Sequence, residues 1–217
     1  MKEQWNRLID DFNKIYEVQL DKYYYFDIID HYNKDRYYHN LNHIENLLKY
    51  LNDFMDLDIK DKLIIELSIW FHDVIYNPKD NNNEFYSALY FNDFIKNSGN
   101  YVVYQTINNM VYKIILSTKH NNSLKTRLEK IMCDIDLREL AEDWYIENSY
   151  KIKKEYNHLL NKEWKNGRID FINKFLNKSR IYLTNEYYNK YEVKARINLT
   201  KEKEYLLSDE YFKYNIV

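Results

Sequence analysis

The sequence predicts an all-α fold, a single-domain bundle of about eight to ten helices, and three observations carry that expectation. The residues that delimit strands and tight hairpins are nearly missing, with two glycines and one proline among 217 residues. Apolar residues recur at three- and four-residue steps over long stretches. The stretches between them are rich in Asn and Asp, which suit turns between helices.

In chain order, Leu47, Leu48, Leu51 and Phe54 draw the first helical stripe. Within 57–76, Leu63, Leu67, Trp70, Phe71 and Val74 draw the next. Pro78 is expected to end this helix, because the residue before a proline is pushed out of the α region. A third stripe runs through Phe85, Ala88, Leu89, Phe91 and Ile95, and a fourth through Val103, Ile107, Met110, Val111, Ile114 and Ile115. Gly99 separates these two, and Gly167 is expected to break a helix that begins near Glu147. The Asn-rich run 80–83 is short enough for a loop between helices. With no repeat, linker or shift in composition, the whole of 1–217 reads as one domain. Its core would lie at about 25–145, with C-terminal helices 147–217 packed on it.

A chain of this length buries roughly 70% of the surface its unfolded form exposes, so it needs no disulfide. A single cysteine, Cys133, excludes an internal disulfide framework and suits a reducing compartment. The net charge of −2 lacks the basic footprint of general nucleic-acid binding. Lys151, Lys153 and Lys154 are flanked by acids and read as a solvated face. The 24 tyrosines, interleaved with Lys, Asn and Ile, match the residue bias of AT-rich coding sequence. They serve as amphipathic core filler. The most apolar run, LIIELSIWF at 63–71, is interrupted by Glu66 and Ser68 and falls short of the roughly 18 apolar residues of a membrane span. The start, MKEQWNRLIDDFNK, has no apolar signal-peptide core. The expectation is a cytoplasmic protein with no membrane partner; a homo-oligomer is left open.

Three segments concentrate metal-binding residue types. In YYHNLNHI at 37–44, His39 and His43 lie four apart and are expected on one helical face. In WFHDVIYNP at 70–78, His72 and Asp73 end a strongly apolar helix. A buried His-Asp pair there is awkward unless something satisfies both polar groups. In CDIDLREL at 133–140, Asp134 and Asp136 flank Ile135. The order His, His-Asp, Asp is what a helical bundle needs to gather four ligands on one divalent ion. Imidazole with carboxylate suits manganese, magnesium, iron, nickel, cobalt or zinc, and affinity order does not choose among them. Such an ion leaves positions for water and a substrate oxygen, and lowers the pKa of bound water from about 15.7 toward roughly 7.

The ordered quartet H…HD…D resembles the signature of the HD superfamily of metal-dependent phosphohydrolases. The likeness to its small predicted-phosphohydrolase branch runs over nearly the whole chain: RYYHNLNHI, WFHDVIYNP, NNEFYSA, STKH, DIDLREL, EYNHLLNKEWKNGR, IYLT and ARINL. It implies ligation of a divalent metal by His43, His72, Asp73 and one late aspartate. Asp136 is preferred, since the superfamily's last ligand usually follows a small or apolar residue; Asp134 is the alternative. The implied activity is hydrolysis of a small phosphorylated substrate: a nucleotide, phosphomonoester or small phosphodiester.

Other positions have two readings each. Arg36 and Arg168 suit phosphate clamping, because a guanidinium fork matches that geometry. Glu84 suits general acid or base work beside the metal, with Asp73, or else simply favours the positive end of its helix. Asn83 is either a substrate contact or a helix cap. His39 is counted with the substrate-binding residues, and otherwise orients the fold or donates a hydrogen bond to a ligand rather than ligating itself; His120 is a third imidazole reaching substrate or a second metal, or a surface histidine. His158 sits among polar neighbours and reads as bland. Arg180, Tyr182, Arg196 and Asn198 either serve the site or hold the C-terminal helices together.

Departures narrow the specificity. Ile75, Tyr76 and Asn77 stand where alarmone pyrophosphohydrolases carry Glu-Asp. The Gly-Tyr-Pro element of cyclic-dinucleotide phosphodiesterases and the His- and Gly-rich extension of deoxynucleotide triphosphohydrolases are both missing, and Lys153 stands where the family has arginine. Two rival readings are a non-catalytic nucleotide- or partner-binding module and a di-iron HD-type oxygenase. The latter is disfavoured because His120 is the single histidine between HD and the last aspartate.

Overall fold

The computed structural model describes residues 1–120, 126–208 and 210–212. Over these the chain is all-helical, with ten α-helices, short 3-10 turns and no strand among the described residues. It divides into two compact units, Met1–Ile135 and Asp136–Val217.

In the first unit, α1 (Lys2–Tyr16) buries Trp5, Leu8, Ile9 and Phe12, one stripe at helical spacing. α2 (Tyr24–Tyr32) buries Tyr25, Ile28 and Tyr32. α3 (Leu41–Tyr50) is capped by Asn40, whose side chain accepts the Asn42 amide at 2.9 Å. α4 (Ile59–Phe71), capped by Asp58, is the spine of this unit, packing against α1 and α3. Every residue from Leu63 to Phe71 is buried, so this helix shows no polar face along that run. Its two polar members each have a partner. Ser68 Oγ donates to the Ile64 carbonyl at 2.8 Å, and Glu66 accepts both of its bonds from Arg7 Nη2, at 2.9 and 3.1 Å. Trp5 meets Trp70 edge-on, with centroids 5.3 Å apart.

α4 stops at Phe71, well before Pro78. Side chains beyond it take over the backbone pairing that a longer helix would use. From α5 (Asn83–Ile95), Ser87 Oγ accepts the Ile75 amide and donates to the Ile75 carbonyl, each at 3.1 Å. Asn83 does the same for Asn77, accepting its amide at 2.8 Å and donating to its carbonyl at 2.9 Å. The proline arrives after the helix has already ended. α5 buries Ala88, Phe91, Phe94 and Ile95, while Phe85 and Leu89 are 42% and 41% exposed, so the expected apolar stripe is rotated. Gly99, at φ +76°, makes the left-handed turn into α6 (Tyr101–Ser117). α6 buries Ile107, Val111, Ile114 and Ile115 against α4 and α5, and leaves Val103 and Met110 half-buried. α7 (Arg127–Asp136) opens with a reciprocal cap: Thr126 Oγ1 accepts the Glu129 amide, and Glu129 accepts the Thr126 amide.

In the second unit, α8 (Tyr145–Glu155), α9 (Asn161–Leu176) and the 3-10 turns Arg138–Ala141 and Glu210–Phe212 all pack on α10 (Asn185–Leu207). Gly167 does not break a helix. It lies inside α9, in open space with nothing within 4 Å of a Cβ built there. The break falls between α8 and α9. Arg196 donates to the Leu176 and Lys178 carbonyls and to Glu192, and Asn198 to the Leu140 and Glu142 carbonyls. Tyr182 donates to the Leu137 carbonyl, and Arg180 to that of Thr184. All four hold this unit together. Among the described residues, no helix is long and apolar enough to cross a membrane.

Candidate metal centre

His43 sits in the first turn of α3, on the face that also buries Ile44, Leu47 and Leu48. His72 is the C-cap of α4, and Asp73 follows in the turn. The two rings lie 5.5 Å apart at 53°. One ligand-capable atom from each of His43, His72 and Asp73 falls within 4.8 Å of the others. The histidines are 3% and 1% exposed and the Asp73 side chain 14%, so the cluster is buried with its carboxylate nearest to water. Donor atoms bonded at about 2.1 Å to one ion lie about 3.0–4.2 Å apart. The trio needs only a small contraction to share one.

The orientation of His72 supports such a role. Its Nδ1 lies 2.9 Å from the Ile69 carbonyl. A carbonyl only accepts, so this contact puts the hydrogen on Nδ1 and leaves Nε2 as the basic nitrogen of the neutral ring. That Nε2 lies 3.1 Å from Asp73 Oδ2. Two electron-rich atoms so close repel unless a cation, either a proton or a metal ion, is shared between them. The donor set and this opposition fit a divalent cation.

The surroundings are aromatic. Tyr38 packs on His43 with centroids 5.0 Å apart, and the His39 ring stacks on Tyr76 at 4.3 Å. Neither Tyr38 nor Tyr76 is among the site residues that the sequence singles out.

The remaining candidates fall into separate places. His39 precedes the Asn40 cap and lies outside α3, so it does not share a helical face with His43; their rings are 6.0 Å apart. Asn83 is not the helix cap; it opens α5 and clasps Asn77 and the Asp80 carbonyl. Glu84, half-buried, stands in the first turn of α5, near the positive end of that helix. His120 is half-buried after α6 at φ +54°, a conformation uncommon for residues other than glycine. Asp134 is fully buried on α7; Asp136, half-buried, ends that helix and opens the second unit.

The two arginines expected to clamp phosphate are engaged with protein groups. Arg36 donates to the carbonyls of Asp73 at 2.6 Å, Val74 at 2.9 Å and His39 at 3.3 Å. Arg168 is buried in the second unit, where it donates from Nε and Nη2 to Glu202 and from Nη2 to the Tyr145 hydroxyl. Burial alone would lower the pKa of Arg168, but the Glu202 carboxylate more than offsets it and holds the guanidinium charged. The Nε and Nη2 groups of Arg168 are thus occupied by protein partners inside a packed unit.

No family model, curated protein or solved structure matches the chain.

Proposed function

We propose that the chain is a metal-dependent phosphohydrolase of the HD type, acting on a nucleotide, phosphomonoester or small phosphodiester. The observation that supports this best is the buried meeting of His43, His72 and Asp73, three ligand-capable side chains from two separate stretches of sequence. His43 and His72 would hold a divalent ion through imidazole nitrogen and Asp73 through carboxylate oxygen; the sequence resemblance implies one late aspartate as the fourth ligand, with Asp136 preferred and Asp134 the alternative. When bound, the ion supplies Lewis acidity toward water and a phosphoryl oxygen.

The chain's own residues have defined tasks in this reading. The Ile69 carbonyl fixes the tautomer of His72. The carboxylate of Asp73, the most exposed of the three, would be the ligand nearest to an approaching substrate. Glu84 is the candidate for moving a proton.

The test is to strip the protein with chelator and reload it with manganese, magnesium, nickel or cobalt. Each form is then assayed on nucleoside phosphates, an aryl phosphomonoester and small phosphodiesters. Metal-dependent phosphate release that disappears in His72→Ala supports the proposal; a wild-type protein that binds no divalent ion ends it.

A second reading, a non-catalytic module that binds a nucleotide or a partner on the same scaffold, draws on the engagement of Arg36 and Arg168 with protein groups. It predicts metal and nucleotide binding without turnover.

A further inference from the structure

α4 ends with carbonyls that its own helix does not satisfy, and the first unit satisfies them one by one. The Ile69 carbonyl meets His72 Nδ1 at 2.9 Å, that of Trp70 accepts the Tyr32 hydroxyl at 3.0 Å, and that of Phe71 accepts the Val74 amide at 3.2 Å. The next two in the turn, from Asp73 and Val74, both go to Arg36. The same guanidinium reaches the carbonyl of His39, four residues before His43. Its central carbon lies 5.0 Å from the Tyr32 ring centroid and 5.5 Å from that of Tyr76, so aromatic faces further orient the plane.

One planar fork thus ties the segment leading into His43 to the turn carrying His72 and Asp73. A positive charge at the C-terminal end of α4 also suits the helix dipole. We infer that Arg36 is a positioning residue for the metal centre, holding the His43 segment and the His72–Asp73 turn at the separation at which one cation spans them. This rests on the metal-centre reading above and replaces a phosphate-clamping role for Arg36. Lysine, a single ammonium on a flexible stem, does not reproduce a three-carbonyl grip by a rigid plane.

The experiment uses cobalt(II), whose visible spectrum reports both affinity and ligand geometry, on wild type, Arg36→Lys and Arg36→Ala. The expected result is native helical circular dichroism for Arg36→Lys with cobalt affinity lowered about 10- to 100-fold, the range for residues that orient metal ligands, and an altered spectrum. Millimolar methylguanidine is expected to restore affinity to Arg36→Ala, which a general loss of folding would not permit; if that variant does not fold, Arg36→Lys decides. Wild-type cobalt affinity and spectrum in Arg36→Lys would overturn the inference and leave the metal reading standing. Unchanged metal affinity with a raised KM for phosphorylated substrate would overturn it in favour of a phosphate clamp. A wild-type protein that binds no cobalt removes both.

Discussion

His72 Nε2 and Asp73 Oδ2 face each other at 3.1 Å, while the opposite nitrogen of the ring is held by the Ile69 carbonyl. Neighbours in sequence seldom point at one another in a helix, and here they do so because α4 ends at Phe71. The turn that follows swings Asp73 back onto the ring.

Removing that carboxylate is the most direct probe of the centre. Asp73→Ala is expected to lose metal and turnover while far-ultraviolet circular dichroism stays near wild type, since its side chain lies at the edge of the core. A variant that stays active and metal-replete would defeat the proposed mechanism.

The two aspartates of α7 should separate by measurement. Asp136→Asn is expected to weaken metal binding with little change in Tm. Asp134→Ala, at a fully buried position, is expected to lower Tm. Equal and small losses of metal binding in both would show that the fourth ligand is neither.

Arg7 and Glu66 predict a pH signature. Burial raises the Glu66 carboxyl pKa above its ordinary 4.5, with the Arg7 charge only partly opposing it. The folded state therefore holds that proton more tightly than the unfolded one. Its stabilising contribution is complete below the unfolded pKa and is lost as pH rises through the folded one. Urea titrations of wild type against Glu66→Gln should show the variant gaining relative stability from pH 4 to 7. Arg7→Ala should cost about 1–2 kcal/mol at pH 7, a buried-pair loss discounted because the guanidinium is 56% exposed, and less where Glu66 is protonated. A flat difference across pH would contradict the assignment.

Arg168 and Glu202 form a pair closed off from water. Arg168→Met strands a buried carboxylate and is expected to cost about 3–5 kcal/mol, whereas the double variant Arg168→Met with Glu202→Leu should recover much of that. Chemical denaturation of the three proteins measures it. A stable Arg168→Met with a raised KM would return this residue to the substrate.

The two glycines should respond with opposite signs. Gly167→Ala, mid-helix with open space at the new methyl group, is expected to stabilise by about 0.5–1 kcal/mol. Gly99→Ala, at φ +76°, should destabilise by about 1 kcal/mol. Thermal melts decide both.

What could be read from sequence follows from where the signal lies. Leu63, Leu67, Trp70, Phe71 and Val74 all proved buried, because periodic burial is a local property. The His43, His72 and Asp73 trio was legible because few residue types serve as ligands. The end of α4 was not: it is set by Ser87 and Asn83 of the next helix and by Arg36 before α3, partners that no local pattern displays. Arg36 and Arg168 were recognised as residues able to grip oxygen atoms. Sequence could not say whose oxygens, since Glu202 and the Asp73 carbonyl are brought to them only by packing. Gly167 was read as a breaker, although one glycine costs a long helix only about 1 kcal/mol relative to alanine.

Tyr211 has a practical bearing on anyone shortening this protein. Its ring is fully buried, and its hydroxyl, 2.6 Å from Ser149 Oγ, has its pKa raised to about 12, chiefly by burial. Ser149 and Tyr145 in turn donate to Glu202. A truncation ending at residue 208 would withdraw that plug and let water into the buried Arg168–Glu202 pair, so a trimmed version should retain Tyr211.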